Sequence, residues 1–312
     1  MKLNKLIALS LSAALSLTLL AGCGGGNSAS GSAPASAAPA SQAPAAEESK
    51  APESAAPESA APAAAFETVE KGKLTVATSP DFAPYEFYAI DESGNPHIAG
   101  FDMALAQYVA DSLGLELQVV PMDFDGVLMS VQTKSVDLGM AGLSADPKRE
   151  SIMDFSTIYY QGGQSFVTRT GNEGKFPNLE SLDNPNLTVG AQTGSIQVDL
   201  ANQYSASCDI IQLPKVTEIV GELITGKLDG AYIETAVAES YAKTYPELAI
   251  VVDVPYESEG SAIGVVKGNP ELLSAVNKAV EAALADGSMA KFVAEANELA
   301  GGEIFEGLLE NK

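Results

Sequence analysis

The stretch that decides the fold is Gly142-Leu143-Ser144-Ala145-Asp146-Pro147-Lys148-Arg149-Glu150. An apolar run from Val136 to Ala141 leads into it and predicts a buried strand that opens on Asp137. Asp146 followed by Pro147 is a helix-start signal, an acceptor at the cap and proline at the first helical position. Lys148 and Arg149 then sit where a helix dipole disfavours cations. An arginine beside backbone N–H groups and the Ser144 hydroxyl suits an anion site. The competing reading is a solvated arginine paired with Glu150 or Asp154.

Outward from that stretch, strand and helix patterns alternate. Strands are expected at 74–78, 115–120, 187–191, 210–213, 228–233 and 261–267. Helices are expected at 102–113, 125–133, 217–225, 271–284 and 288–299, and after Gly194 and Glu234. Asp102 can cap the first helix and Gly114 can end it. Repeated strand-helix-strand units predict an α/β fold with largely parallel sheets. Val131 to Gly139 and Ile224 to Gly230 share a layout: a helix end, a basic residue (Lys134 or Lys227), then an Asp (Asp137 or Asp229) opening a strand. That echo predicts two similar lobes.

The N-terminus is of another kind. Lys2 and Lys5 precede an apolar run from Leu6, as in a signal peptide spanning residues 1–22. It ends in Leu20-Ala21-Gly22-Cys23, which resembles a bacterial lipobox and implies a lipoprotein with a palmitate-type lipid on Cys23. Gly24 to Ala65 is rich in Gly, Ser, Ala and Pro, and reads as a flexible tether. The expected location is the outer face of a cell membrane, extracellular or periplasmic.

The whole chain has 41 acidic residues against 17 basic ones, for a formal charge of −24. That makes nucleic acid an unfavourable partner. With a lipidated Cys23, Cys208 is a lone thiol, and with one histidine, His97, a histidine-cysteine zinc site or Ser-His-Asp triad has little to build on. No metal and no cofactor are expected. Gly221 to Lys227 matches the spacing of a phosphate loop, but Leu228 stands where Ser or Thr is needed.

Ser79, Ser144, the Thr193-Gly194-Ser195 turn and Glu234 all fall just after expected strands, where open α/β sheets bind ligands. Arg149 and the backbone of Gly194, Ser195 and Ile196 would hold an anion, and Glu234 a cation. Phe82 and Phe124 could sandwich a planar or apolar group. An anion site facing a cation site describes a zwitterion, most simply an α-amino acid. Asp81, Glu86 and Asp125 tilt the expectation towards a cationic side chain.

These residues carry a family resemblance. The segment from about Lys73 to Phe292 resembles the extracellular solute-binding proteins, family 3, of polar amino-acid ABC transporters. It does so through Ala77-Thr78-Ser79-Pro80-Asp81-Phe82-Ala83-Pro84-Tyr85-Glu86-Phe87, Gly100-Phe101-Asp102-Met103, Phe124-Asp125-Gly126, the opening stretch, and Val189 to Ser195. The resemblance implies a two-lobed, type II periplasmic-binding-protein-like fold with two crossing hinge strands. Residues 66–168 and 261–312 would form lobe 1, and residues 169–260 lobe 2. It implies Arg149 on the ligand carboxylate, assisted by Gly142, Ser144, Gly194, Ser195 and Ile196. Glu234, usually an aspartate in the family, would take the ammonium, with Ser79, Phe82 and Phe124 in the side-chain pocket. A monomeric, non-enzymatic binder that delivers to permease subunits is implied. The alternatives are a cleft enzyme of the same fold, such as a cyclohexadienyl dehydratase, or an amino-acid sensor.

Overall fold

A computed structural model describes residues 66–91, 93–257 and 260–301. The expected signal peptide, Cys23 and the linker lie outside the described residues.

The chain begins with β1 (Lys73–Thr78), β2 (Asp81–Phe82), β3 (Glu86–Ile90) and β4 (Pro96–Ala99). It continues with α1 (Phe101–Leu113), β5 (Glu116–Pro121), α2 (Phe124–Gln132), β6 (Leu138–Gly139) and β7 (Met153–Phe155). The middle holds β8 (Gln164–Arg169), β9 (Thr188–Gln192), α3 (Ile196–Tyr204), β10 (Asp209–Leu213) and α4 (Val216–Thr225). It ends with β11 (Gly230–Glu234), α5 (Thr235–Thr244), β12 (Leu248–Asp253), β13 (Gly264–Val266), α6 (Pro270–Ala285) and α7 (Ser288–Ala300).

Two five-stranded sheets organise these elements, with strand orders β5-β1-β6-β13-β7 and β10-β9-β11-β8-β12. In each, three strands run parallel, β5-β1-β6 and β10-β9-β11. The sheets are more mixed than expected: β13 and β8 run antiparallel to their neighbours. The reason is connectivity. Strands that arrive from the other lobe need no helical crossover and enter in the opposite direction.

The internal echo has a structural counterpart. Asp137 accepts the Thr75 N–H at 2.8 Å, and Asp229 accepts the Thr188 N–H at 3.0 Å. Each carboxylate therefore ties the start of the third parallel strand to the start of the first. The expected lobe boundary after Thr168 falls inside β8, which belongs to the second sheet. The chain changes sheets between Phe155 and Gln164, and again between Asp253 and Gly264. At these crossings Tyr160 and Ser261 pair antiparallel, with the Ser261 N–H on the Tyr160 carbonyl at 2.7 Å and the Tyr159 N–H on the Ser261 carbonyl at 3.0 Å.

Helices follow their apolar spacing. α4 buries Val216, Ile219, Val220 and Leu223, one face at i, i+3, i+4 and i+7. The would-be phosphate loop is the end of this helix, closed by Gly226 in the left-handed region. α1 ends on Gly114 as expected, but Asp102 does not cap it: the cap is Gly100, and Asp102 turns inward to the Gly142 N–H at 3.0 Å. The helix expected at Pro147 is a single 3-10 turn, Pro147–Arg149, because β7 begins four residues later. Asp146 does cap that turn, accepting the Lys148 N–H at 2.9 Å.

Candidate ligand cleft

A cavity of about 90 Å³ lies between the carboxyl ends of the parallel strands of the two sheets. That is several times what one water needs. Of the residues singled out from sequence, Phe82, Phe124, Gly142, Ser144, Arg149, Ser195, Ile196 and Glu234 line it.

Arg149 reaches the cavity from the 3-10 turn and is only 8 % exposed. Its Nη2 donates to the Gly194 carbonyl at 3.2 Å and its Nη1 to the Ser144 carbonyl at 3.4 Å. The guanidinium carbon lies 5.5 Å from the centre of the Phe124 ring, a cation–π contact. Burial lowers its pKa, yet a guanidinium stays charged. Neither Glu150 nor Asp154 pairs with it. Among the described residues no carboxylate forms an ion pair with Arg149. Five donors with two carbonyl partners leave a cationic surface turned to the cavity.

Glu234 ends β11 and caps α5, its Oε2 accepting the Val237 N–H at 2.9 Å. It is 5 % exposed, so it is not the surface acid its position alone would suggest. Among the described residues no donor forms a hydrogen bond of normal geometry with its buried Oε1, although the Tyr85 hydroxyl lies nearby. Burial pushes its pKa up to about 7, against the opposing pull of the Val237 N–H and the Tyr85 hydroxyl. Gly162 faces it so closely that an added Cβ would lie 2.2 Å from Oε1.

Other expected residues have different roles. The Gly142 N–H is taken by Asp102, and its φ of +56° lets the Phe82 ring approach; a Cβ there would meet that ring at 2.7 Å. Gly194 does not line the cavity and offers Arg149 its carbonyl. The Ser195 N–H and hydroxyl are both spent on the Gln192 carbonyl. Ser79 lies outside the cavity and donates to Asp81 at 2.7 Å. Asp81, Glu86 and Asp125 do not line it either, so they lend no support to a cationic ligand side chain. Instead the cavity gains Tyr85, Gln164, Gln192 and Gln197, with Gln197 Nε2 on Gln164 Oε1 at 2.8 Å. The arrangement can hold a small molecule with one anionic end, one cationic end and hydrogen-bonding groups between.

Residues 74–296 match the model of the bacterial extracellular solute-binding proteins, family 3. The chain belongs to this family. Among curated relatives, the arginine-binding extracellular protein ArtP of Bacillus subtilis is 33% identical over 228 residues, covering 71% of this chain and 84% of that protein. The cyclohexadienyl dehydratase of Pseudomonas aeruginosa is 30% identical over 183 residues, covering 59% of this chain and 67% of that enzyme. Among solved structures, the amino-acid ABC transporter substrate-binding protein AbpA of Streptococcus pneumoniae, bound to L-arginine, superposes with a TM-score of 0.71. It is 32% identical and covers 75% of this chain and 98% of that one. The two-lobed α/β architecture is thus shared with amino-acid-binding proteins. No helix among the described residues is long and apolar enough to cross a membrane.

Proposed function

We propose that the protein is the substrate-binding component of an amino-acid ABC importer, held at the outer face of the membrane by a lipid on Cys23. It captures a polar or cationic α-amino acid between lobes of about residues 66–163 with 261–301, and 164–260. The observation that carries this reading is one cavity walled by a buried Arg149 without a carboxylate and a buried Glu234 without a cation. Two unpaired charges of opposite sign are costly to keep dry. A zwitterion relieves both at once: its carboxylate meets Arg149 and its ammonium meets Oε1 of Glu234. Phe82 and Phe124 bracket the side chain, and the three glutamines suit a polar end. Arginine-binding relatives support a basic ligand, while the glutamine lining supports a neutral polar one equally well.

A thermal-shift screen of ligand-free protein against the common amino acids tests this. A ligand at 100 times its dissociation constant adds about 2.7 kcal/mol of stability. No shift with any α-amino acid refutes the reading.

A second reading is a cleft enzyme. It is favoured by the dehydratase relative and by Glu234, a carboxyl near pKa 7 in a cavity, the range suited to proton transfer. Turnover of a cyclic, carboxylated substrate, abolished by Glu234→Gln, would decide for it.

A further inference from the structure

Asp81 has a position that the ligand cavity does not explain. It follows β1 of the first sheet and is 7 % exposed, yet its partners belong to the second sheet's half of the molecule. Its Oδ2 accepts the Val216 N–H at 2.5 Å and the Gln192 Nε2 at 3.3 Å. Its main-chain carbonyl accepts the Tyr241 hydroxyl at 2.9 Å. Ser79 holds Oδ1 from its own side at 2.7 Å. Val216 is the first residue of α4, and that helix has no side-chain cap of its own: its N-cap is Lys215. The cap is supplied across the cleft by Asp81. A carboxylate on an otherwise uncapped helix start is favourable both as a hydrogen bond and through the helix dipole. Next to it, Lys215 and Asp123 bridge the same gap at 3.6 Å, exposed and weak by comparison.

We propose that Asp81 is a latch: a positioning residue that holds the lobes closed by capping α4 from the opposite lobe, without touching the ligand. This rests on the solute-binding reading and adds a determinant of affinity to it. Gln192 links the two sites. It lines the cavity and its side-chain amide donates to Asp81. Ser79 is the brace that aims the carboxylate.

A latch changes the fraction of closed protein, and apparent affinity scales with that fraction whatever the ligand. Losing a charge-assisted hydrogen bond of this kind corresponds to about tenfold or more in the closing equilibrium. The test uses the full chain with Asp81→Ala, with Val216→Pro, and with both. Proline is well tolerated at the first position of a helix and removes the N–H donor, and Val216→Ala, which keeps the donor, controls for the loss of the buried side chain. Calorimetric titration with every amino acid that wild type binds is the readout, with thermal unfolding to confirm the fold. Each single variant should weaken all ligands by one common factor of about ten or more, and the double variant should be no weaker than the worse single one. Unchanged affinity, a factor that differs between ligands, or additive losses overturn the latch. If wild type binds no amino acid, the solute-binding reading fails instead. The latch is then judged by small-angle scattering of the ligand-free chains: Asp81→Ala must be more open than wild type, and identical curves overturn it.

Discussion

Glu234→Gln removes a carboxyl that burial holds at about 7 instead of its ordinary 4.5. Below pH 4.5 the folded and unfolded chains both carry this proton, and well above pH 7 neither does. In between the folded chain holds more, so this group's contribution to stability is full at low pH and is lost as pH rises through 7. A shift of this size corresponds to roughly 3 kcal/mol, at about 1.4 kcal/mol per pKa unit. Glutamine has no proton to lose. The unfolding free energy of the variant minus that of wild type should therefore rise by about 3 kcal/mol between pH 4 and pH 8 in the absence of ligand. Asp81 and Asp102, both pushed up to about 6 by burial, and Glu86, raised well above its ordinary value by burial, titrate in both proteins and cancel in the difference. Urea unfolding at three pH values measures it. The same variant should bind the amino acid more weakly by roughly 2–5 kcal/mol, since it strands a buried ammonium. The prediction is a protein that is more stable and less able to bind. Parallel stability curves together with wild-type affinity would refute both the buried-charge argument and the zwitterion reading.

Arg149→Ala should cost a similar 2–5 kcal/mol and erase most of the preference for a free acid over its amide, read by calorimetry with both ligands. Gly162→Ala should drive a methyl group into Glu234 Oε1, 2.2 Å away in the present backbone, and weaken binding while the fold persists by circular dichroism. Wild-type affinity for an α-amino acid should fall about tenfold per pH unit below 7, because the ammonium needs an ionised Glu234, and titrations in buffers of different ionisation enthalpy should show proton release on binding. Cys23→Ala should leave affinity intact and move the protein from the membrane to the soluble fraction.

Part of the cavity lining was legible because Ser144, Ser195 and Glu234 stand at or just after strands, where one rule covers them. Arg149 and Glu234 could be picked out by position, and Phe82 and Phe124 by position and ring. Tyr85 sat inside a quoted motif without a feature to mark it. Gln164, Gln192 and Gln197 are neutral side chains on strands and a helix, and only the approach of the two sheets makes them neighbours. Ser79 was expected in the pocket by the same rule but donates to Asp81 and does not line the cavity, because the direction of a side chain after a strand is not encoded in spacing. The helix expected at Pro147 had a true start signal but too few residues before β7 to become more than one turn. The two lobes echoed in sequence because Asp137 and Asp229 do the same work, a requirement strong enough to fix both residue and spacing.

The place of β13 between β6 and β7 has a consequence for the order in which the chain can fold as it is made. All five strands of the second sheet come from one continuous stretch, residues 164–253, and can assemble as soon as that stretch exists. The first sheet is begun earlier and finished later. Within its sheet β7 is paired with β13 alone, and β13 is the last strand among the described residues. A nascent chain that has reached Asp253 thus holds one finished sheet and, ahead of it, a parallel trio still waiting for its closing strand. The lobe that starts first must stay open until the final sixth of the polypeptide arrives.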